Sequence, residues 1–146
     1  MGLSYTQMAH SHLQRMLREG MDLHEVQQDG DGDYPFRHGT AVYYLSVGPG
    51  GHMVKIWSNV VLGLKGTAPV LRAINATNER LMHCRMFLSG TTLQVEAFLP
   101  IQPLVPGYLT AVCAEVGETA DSVGQLMAAV HGGCIAFDDE LEAADD

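Results

Sequence analysis

At 146 residues, 47% hydrophobic and 17% charged, the chain reads as one globular domain able to bury roughly 68–70% of its unfolded surface without staples. Eight Lys and Arg against 17 Asp and Glu give a formal net charge of −9, which repels phosphate backbones and anionic membranes, so neither nucleic acid nor a membrane is expected as partner. No apolar run approaches the roughly 18 residues of a membrane span, and three irregularly spaced cysteines, Cys84, Cys113 and Cys134, fit reduced thiols in a cytoplasm.

The opening residues show no charged segment followed by an apolar core, so no signal peptide is expected. MGLSYT matches the loose pattern of N-myristoylation, with Thr6 in place, and is read as a chance match. Ser4 as N-cap, a stripe of Met8, Leu13, Met16 and Leu17, and Gly20 as stop predict a first helix from Ser4 to about Glu19. A short strand is expected around Leu23 to Gln27, followed by the Asp-Gly turn of DGDGD. Two more strands are expected at Gly39–Val47 and His52–Leu64, separated by Gly48–Gly51. Thr67, Pro69 and the spacing of Val70, Ile74, Thr77 and Leu81 predict a second helix. Strands at 82–89 and 91–99 meet at Gly90. A helix from about Gly107 to His131 follows, burying Leu109, Val112, Val116, Val123, Met127 and Val130, with Gly117 and Gly124 as weak points.

The order α-β-β-β-α-β-β-α, with turns too short for parallel crossovers, predicts an α+β fold. Its mostly antiparallel five-stranded sheet has helices packed on one face. A single domain is expected over residues 1–134, with a disordered acidic tail over 135–146.

Asp29, Asp31 and Asp33 alternate with glycines as a calcium loop does. Counted from Asp29, however, the sixth position is Tyr34 where the loop needs Gly, and the twelfth is Thr40 where it needs Glu. The stretch is read as a hairpin turn. His10 and His12 are two apart on a helix and do not face each other, and His131 with Cys134 lacks a second ligand pair, so no metal is expected. Cys84 and Cys113 sit on apolar faces as core thiols. No phosphate loop, nucleophile elbow or paired catalytic carboxylates occur, so no enzymatic activity and no cofactor is expected.

Each expected strand alternates between an apolar face and a mixed one. Lys55, Trp57, Asn59 and Val61 fall opposite Val54, Ile56, Val60 and Leu62. His83, Arg85 and Phe87 oppose Met82, Cys84, Met86 and Leu88, while Gln94, Glu96 and Phe98 oppose Leu93, Val95, Ala97 and Leu99. Trp57, Val61, Phe87 and Phe98 form the candidate interface with a partner or a second copy.

VLRAINATNERLMHCRMFLSGTTLQVEAFLPI carries Ile74, Asn75 and Asn78 as INxxN on a helix. Two strands, a Pro-broken loop and a long helix follow, and over Met21 to His131 this order resembles the YbjN-like proteins, similar in fold to type III secretion chaperones. The resemblance implies a small cytoplasmic homodimer of bacterial type, a regulator of sensory transduction or a chaperone. Such a protein binds an extended or disordered protein segment and has no catalytic residue to carry over. Asn75 and Asn78, on adjacent rungs of one helix face, are expected to satisfy backbone groups nearby. The alternative reading is a regulatory domain that senses a small molecule or nucleotide in a deep apolar pocket.

Overall fold

Ser4 starts the chain's first helix as a full capping box. Its hydroxyl accepts from the Gln7 N–H while the Gln7 side chain accepts from the Ser4 N–H, and α1 runs Tyr5–Met21. The computed structural model describes residues 4–137. The first residues of the myristoylation-like start and the acidic stretch from 138 onward therefore lie outside the described residues. Five strands follow one another as antiparallel neighbours in the order β1-β2-β3-β5-β4. They are β1 (Tyr34–His38), β2 (Ala41–Val47), β3 (Met53–Leu62), β4 (Arg85–Ser89) and β5 (Thr92–Pro100). Between β3 and β4 lies α2 (Ala68–Asn78), capped by the Thr67 hydroxyl, and after β5 comes α3 (Pro106–His131). A two-residue strand, β6 (Cys134–Ile135), pairs with the end of β3. Ala136 and Phe137 beyond it are buried, so the chain belongs to the fold for at least three residues past 134.

The first strand is not where the sequence put it. Leu23–Gln27 forms no strand, because Leu23 and Val26 are its only apolar residues and their spacing of three does not suit a pleat. The pleated stretch is Tyr34–His38, which begins after the Asp-Gly turn. That turn closes on itself, with the Asp29 carboxylate accepting from the Asp31 and Asp33 N–H groups at 2.9 and 3.0 Å, and it joins no two strands. The β1–β2 hairpin turns instead at Gly39-Thr40, where Gly39 has φ 61° and a Cβ would strike the Asp121 carboxylate. Met82 also leaves its assigned place. It precedes β4 and is 83% exposed, because the backbone there is drawn to a helix side chain rather than to the sheet.

α3 lies across β1, β2, β3 and β5, and α1 packs on α3 and on the 3-10 turn Pro49–Gly51. The core between them holds Leu13, Leu17, Tyr34, Leu45, Ile56, Val60, Leu93, Leu109 and Val116, all nearly inaccessible. Each fully buried aliphatic side chain contributes about 1.5–3 kcal/mol of transfer free energy. Val130 is an exception on α3: it is 63% exposed. The helices α1 and α3 take one face of the sheet, and α2 flanks β4. Among the described residues no helix packs on the other face.

Candidate functional site

The open face is laid out in rows by strand register. Pro35, Tyr44, Trp57, Glu96 and Arg85 stand opposite one another across five strands. Asn59, Gln94 and Phe87 make the row on one side, and Ser46, Lys55 and Phe98 the row on the other. Alternation of side chains along each strand brings these residues together, so three of the four expected interface residues, Trp57, Phe87 and Phe98, share this surface. Val61 does not join them. A bulge between Asn59 and Val61 shifts the phase of β3, pairs Val61 with Leu93 and Ile135, and buries it completely.

The aromatic rings and the charges of the face are interleaved. Tyr44 and Trp57 stack at 4.7 Å between centroids, and the Trp57 indole N–H donates to the Ser46 hydroxyl at 2.8 Å. The Lys55 ammonium lies 5.4 Å from the Trp57 ring and 5.9 Å from Phe98, and the Arg85 guanidinium lies 5.0 Å from Phe87. Glu96, only 6% exposed, sits at the centre of the face. Its carboxylate accepts from Arg85 Nε at 2.9 Å and from Arg85 Nη2, and lies 3.5 Å from the Lys55 ammonium. The buried carboxylate is contacted by both cations and holds them beside the rings. Phe98 stands 51% exposed beside them. The surface can therefore offer aromatic planes and cations to the same ligand.

The structure places Asn78 and Asn75 differently. The Asn78 amide donates to the Met86 carbonyl at 2.9 Å and accepts from the Met86 N–H at 2.8 Å, filling the place of a neighbouring strand on the outer edge of β4. Asn75 is exposed and reaches only Glu79, at 3.4 Å, because its rung of α2 faces away from the sheet.

Sequence reasoning missed three carboxylates spaced by three along α3. Glu115 accepts from three consecutive backbone N–H groups, Met82, His83 and Cys84, at 2.7 to 3.2 Å. Burial alone would push its carboxyl up. The N–H donors of Cys84, His83 and Met82 outweigh that and hold it below its ordinary value. Glu118 meets His38 at 3.1 Å, and Asp121 accepts from the Thr40 N–H at 3.1 Å and from its hydroxyl. The spacing of 115, 118 and 121 was the available signal. All three tie α3 to the ends of β1 and β4.

Burial pushes the Cys84 and Cys113 thiols up to about 12 each. Among the described residues no three His, Cys, Asp or Glu side chains converge on a metal position. No helix among the described residues is long and apolar enough to cross a membrane. Elsewhere, a cavity of about 340 Å³ lies between the start of α1, the 3-10 turn and the end of β5, lined by Tyr5, Met8, His12, His52, Met53 and Ile101.

The family described as T3SS (YopN, CesT) and YbjN peptide-binding chaperone 1 matches residues 7–139. The chain belongs to this family of peptide-binding chaperones. Among solved structures, the chain's fold is shared by the Yersinia pestis type III secretion chaperone SycH, crystallised with a stable fragment of YscM2. The TM-score is 0.58 at 15% identity, over 82% of this chain and 98% of that one. It is shared by the HopA1–SchA chaperone–effector complex at TM-score 0.65 and 11% identity, over 85% and 99%. YbjN from E. coli matches at TM-score 0.56 and 14% identity, over 85% and 93%. A search of curated proteins finds no match to the sequence. The chain thus has the type III secretion chaperone fold.

Proposed function

We propose that this chaperone captures an extended segment of a partner protein on its open sheet face, without catalysis, in the cytoplasm. The observation that carries the reading is the surface itself: an exposed Phe98 and half-buried Trp57 and Phe87 share the side of the sheet away from α1 and α3 with Lys55 and Arg85. Aromatic side chains and Arg are the residues that dominate binding energy when a partner desolvates them. Apolar groups of the segment lie on the Trp57 and Phe98 rings, while its carboxylates or carbonyls accept from Lys55 and Arg85. The face, not the β4 edge, takes the segment: at that edge Asn78 holds both backbone groups of Met86, and Glu115 holds the Cys84 N–H. Locally Lys55 and Arg85 favour carboxylates of the segment, while the net charge of −9 of the whole chain steers toward partners that carry basic groups as well.

Co-purification from native cytoplasm followed by titration of the captured segment tests the reading. Trp57→Glu is expected to weaken binding by roughly 30-fold, the effect of losing about 2 kcal/mol at a hot spot. Unaltered affinity in that variant would move the capture surface elsewhere on the molecule. A second reading, a sensor of a small molecule, is favoured by the cavity of about 340 Å³ beside α1, within the range of about 300–1,000 Å³ usual for ligand pockets. It expects Met8→Glu, and not Trp57→Glu, to abolish binding.

A homodimer completes the proposal. Leu126 and Val130, one turn apart on α3, are 62% and 63% exposed and offer an apolar strip that a second copy covers about a two-fold axis. That arrangement leaves the sheet face free for the partner.

A further inference from the structure

We infer that Glu96 is a positioning residue that sets the sheet face to take one carboxylate, carried in a segment of the pattern apolar-x-acidic-x-apolar. This specificity rests on the reading of the face as the capture surface. Among the described residues Glu96 is the one charged side chain in a buried position, and it lies on the face that no helix covers. A buried carboxylate without partners is costly, so Lys55 and Arg85 belong to the same unit.

The charge of that unit selects the ligand. Two cations meet one carboxylate and leave a single formal positive charge. Arg85 turns Nε and Nη2 toward the Glu96 Oε1 atom, which leaves Nη1 on an exposed guanidinium for a ligand. The Lys55 ammonium, 3.5 Å from the Glu96 Oε2 atom, keeps further N–H donors. One carboxylate from a ligand therefore neutralises the unit. A dianion leaves a surplus charge, on a chain whose net charge of −9 repels it further. At 6% exposure Glu96 does not meet the ligand itself. It acts through Lys55 and Arg85, cancelling one positive charge and holding both cations beside Trp57, Phe98 and Phe87. Arg37 is a further cation of the face, but it stands on β1, three strands from β5, about 14 Å at strand spacing.

Register sets the spacing of the segment. Phe87 pairs with Gln94, Arg85 with Glu96, and Phe98 with Lys55. The two phenylalanines thus stand on the rows either side of Glu96. From the Gln94 row to the Phe98 row is four residues of β5, about 13 Å at the rise of a strand. An extended segment lying along the strands covers that span with residues i and i+4, and its residue i+2 faces the same side. Apolar side chains belong at i and i+4, over the rings, and the carboxylate at i+2, over the cations.

Trp57 is the chain's one tryptophan and pairs with Glu96, so its fluorescence reports on occupancy of this site. The probes are acetylated, amidated heptapeptides Thr-Leu-Thr-X-Thr-Leu-Thr in which X is Gln, Glu or phosphoserine: neutral, singly charged and nearly doubly charged. In the unmodified chain the Glu peptide is expected to bind about tenfold tighter than the Gln peptide, as a charge-assisted hydrogen bond provides. The phosphoserine peptide should stay within about threefold of the Glu peptide, the scale of an exposed ion pair. Glu96→Gln keeps the shape and an acceptor for Arg85 but removes the charge. In that variant phosphoserine should gain about tenfold over Glu. A Glu96 that served the fold alone would shift all three affinities together, so an unchanged ratio overturns the proposal. Arg85→Gln, at an exposed side chain, leaves the unit no net formal charge and should erase the preference for Glu over Gln. A preference that persists there overturns the proposal equally. Thr-Leu-Glu-Thr-Thr-Leu-Thr, with its Glu moved by one position, should bind no better than the Gln peptide, and equal binding of the two Glu peptides overturns the spacing. If all three X peptides bind the unmodified chain alike, capture by the face stands and the role of Glu96 fails. If none of them changes the Trp57 emission, the capture reading fails, and the specificity with it.

Discussion

Asn75 and Asn78 are a turn apart on the same helix, and their neighbours give them different work. Removing the Asn78 amide leaves the N–H and carbonyl of Met86, itself 2% exposed, without partners. Asn78→Ala is therefore expected to lower stability by about 1–3 kcal/mol in denaturant titration, and Asn75→Ala to stay within roughly 0.5 kcal/mol. Equal losses in the two variants would mean that the backbone contact is not what Asn78 contributes. Glu115 gives a pH signature. Its carboxyl titrates below the ordinary 4.5 in the folded chain. Its stabilising effect is thus complete above the unfolded value and fades as the pH falls through the lower folded one. Melting temperature is expected to drop on acidification below about pH 4.5. In Glu115→Gln it should start lower at pH 7 and fall less. A variant with the same acid slope as the parent would place the titrating group elsewhere.

At the scale of elements, the two glycines inside α3 were read as weak points of the helix, and the packing gives them a purpose. A Cβ at Gly117 would lie 2.6 Å from the His38 Cβ, and one at Gly124 would lie 2.3 Å from a γ-methyl of Val60. Seven residues apart, they recur on the same side of the helix and let its backbone settle directly on β1 and β3. Alanine at 124 raises helix propensity by about 1 kcal/mol, but it pushes against a side chain that has no room to move, which costs about 1–3 kcal/mol. Gly124→Ala is expected to be destabilising overall, with an unchanged far-ultraviolet spectrum. A rise in melting temperature would show that the helix can shift off the sheet without penalty. The same scale explains Val61. Alternation predicts its side only while the pleat is regular, and the bulge after Asn59 breaks the count.

For the whole molecule, the proposed dimer and the proposed capture face make separable expectations. Light scattering at micromolar concentration is expected to give twice the 15.8 kDa chain mass, and Leu126→Glu with Val130→Glu to return it to the monomer. If Trp57→Glu dissociates the dimer and the α3 pair does not, the sheet face is the contact between copies. Much of this architecture was legible in the sequence, because helix caps, glycine turns and apolar periodicity are local properties. The Ser4 cap, both faces of β5 and the extent of α3 needed nothing distant to define them. The misplaced first strand shows the limit: Leu23–Gln27 and Tyr34–His38 are both short, and only pairing with β2 distinguishes a strand from an extended loop. The sequence alone determined that an aromatic, cation-bearing face would exist, since alternation fixes which side chains share a side. That α1 and α3 both lie on the other side, that Glu96 gathers Lys55 and Arg85, and that Val61 turns inward are outcomes of packing among residues far apart in the chain, which no local pattern contains.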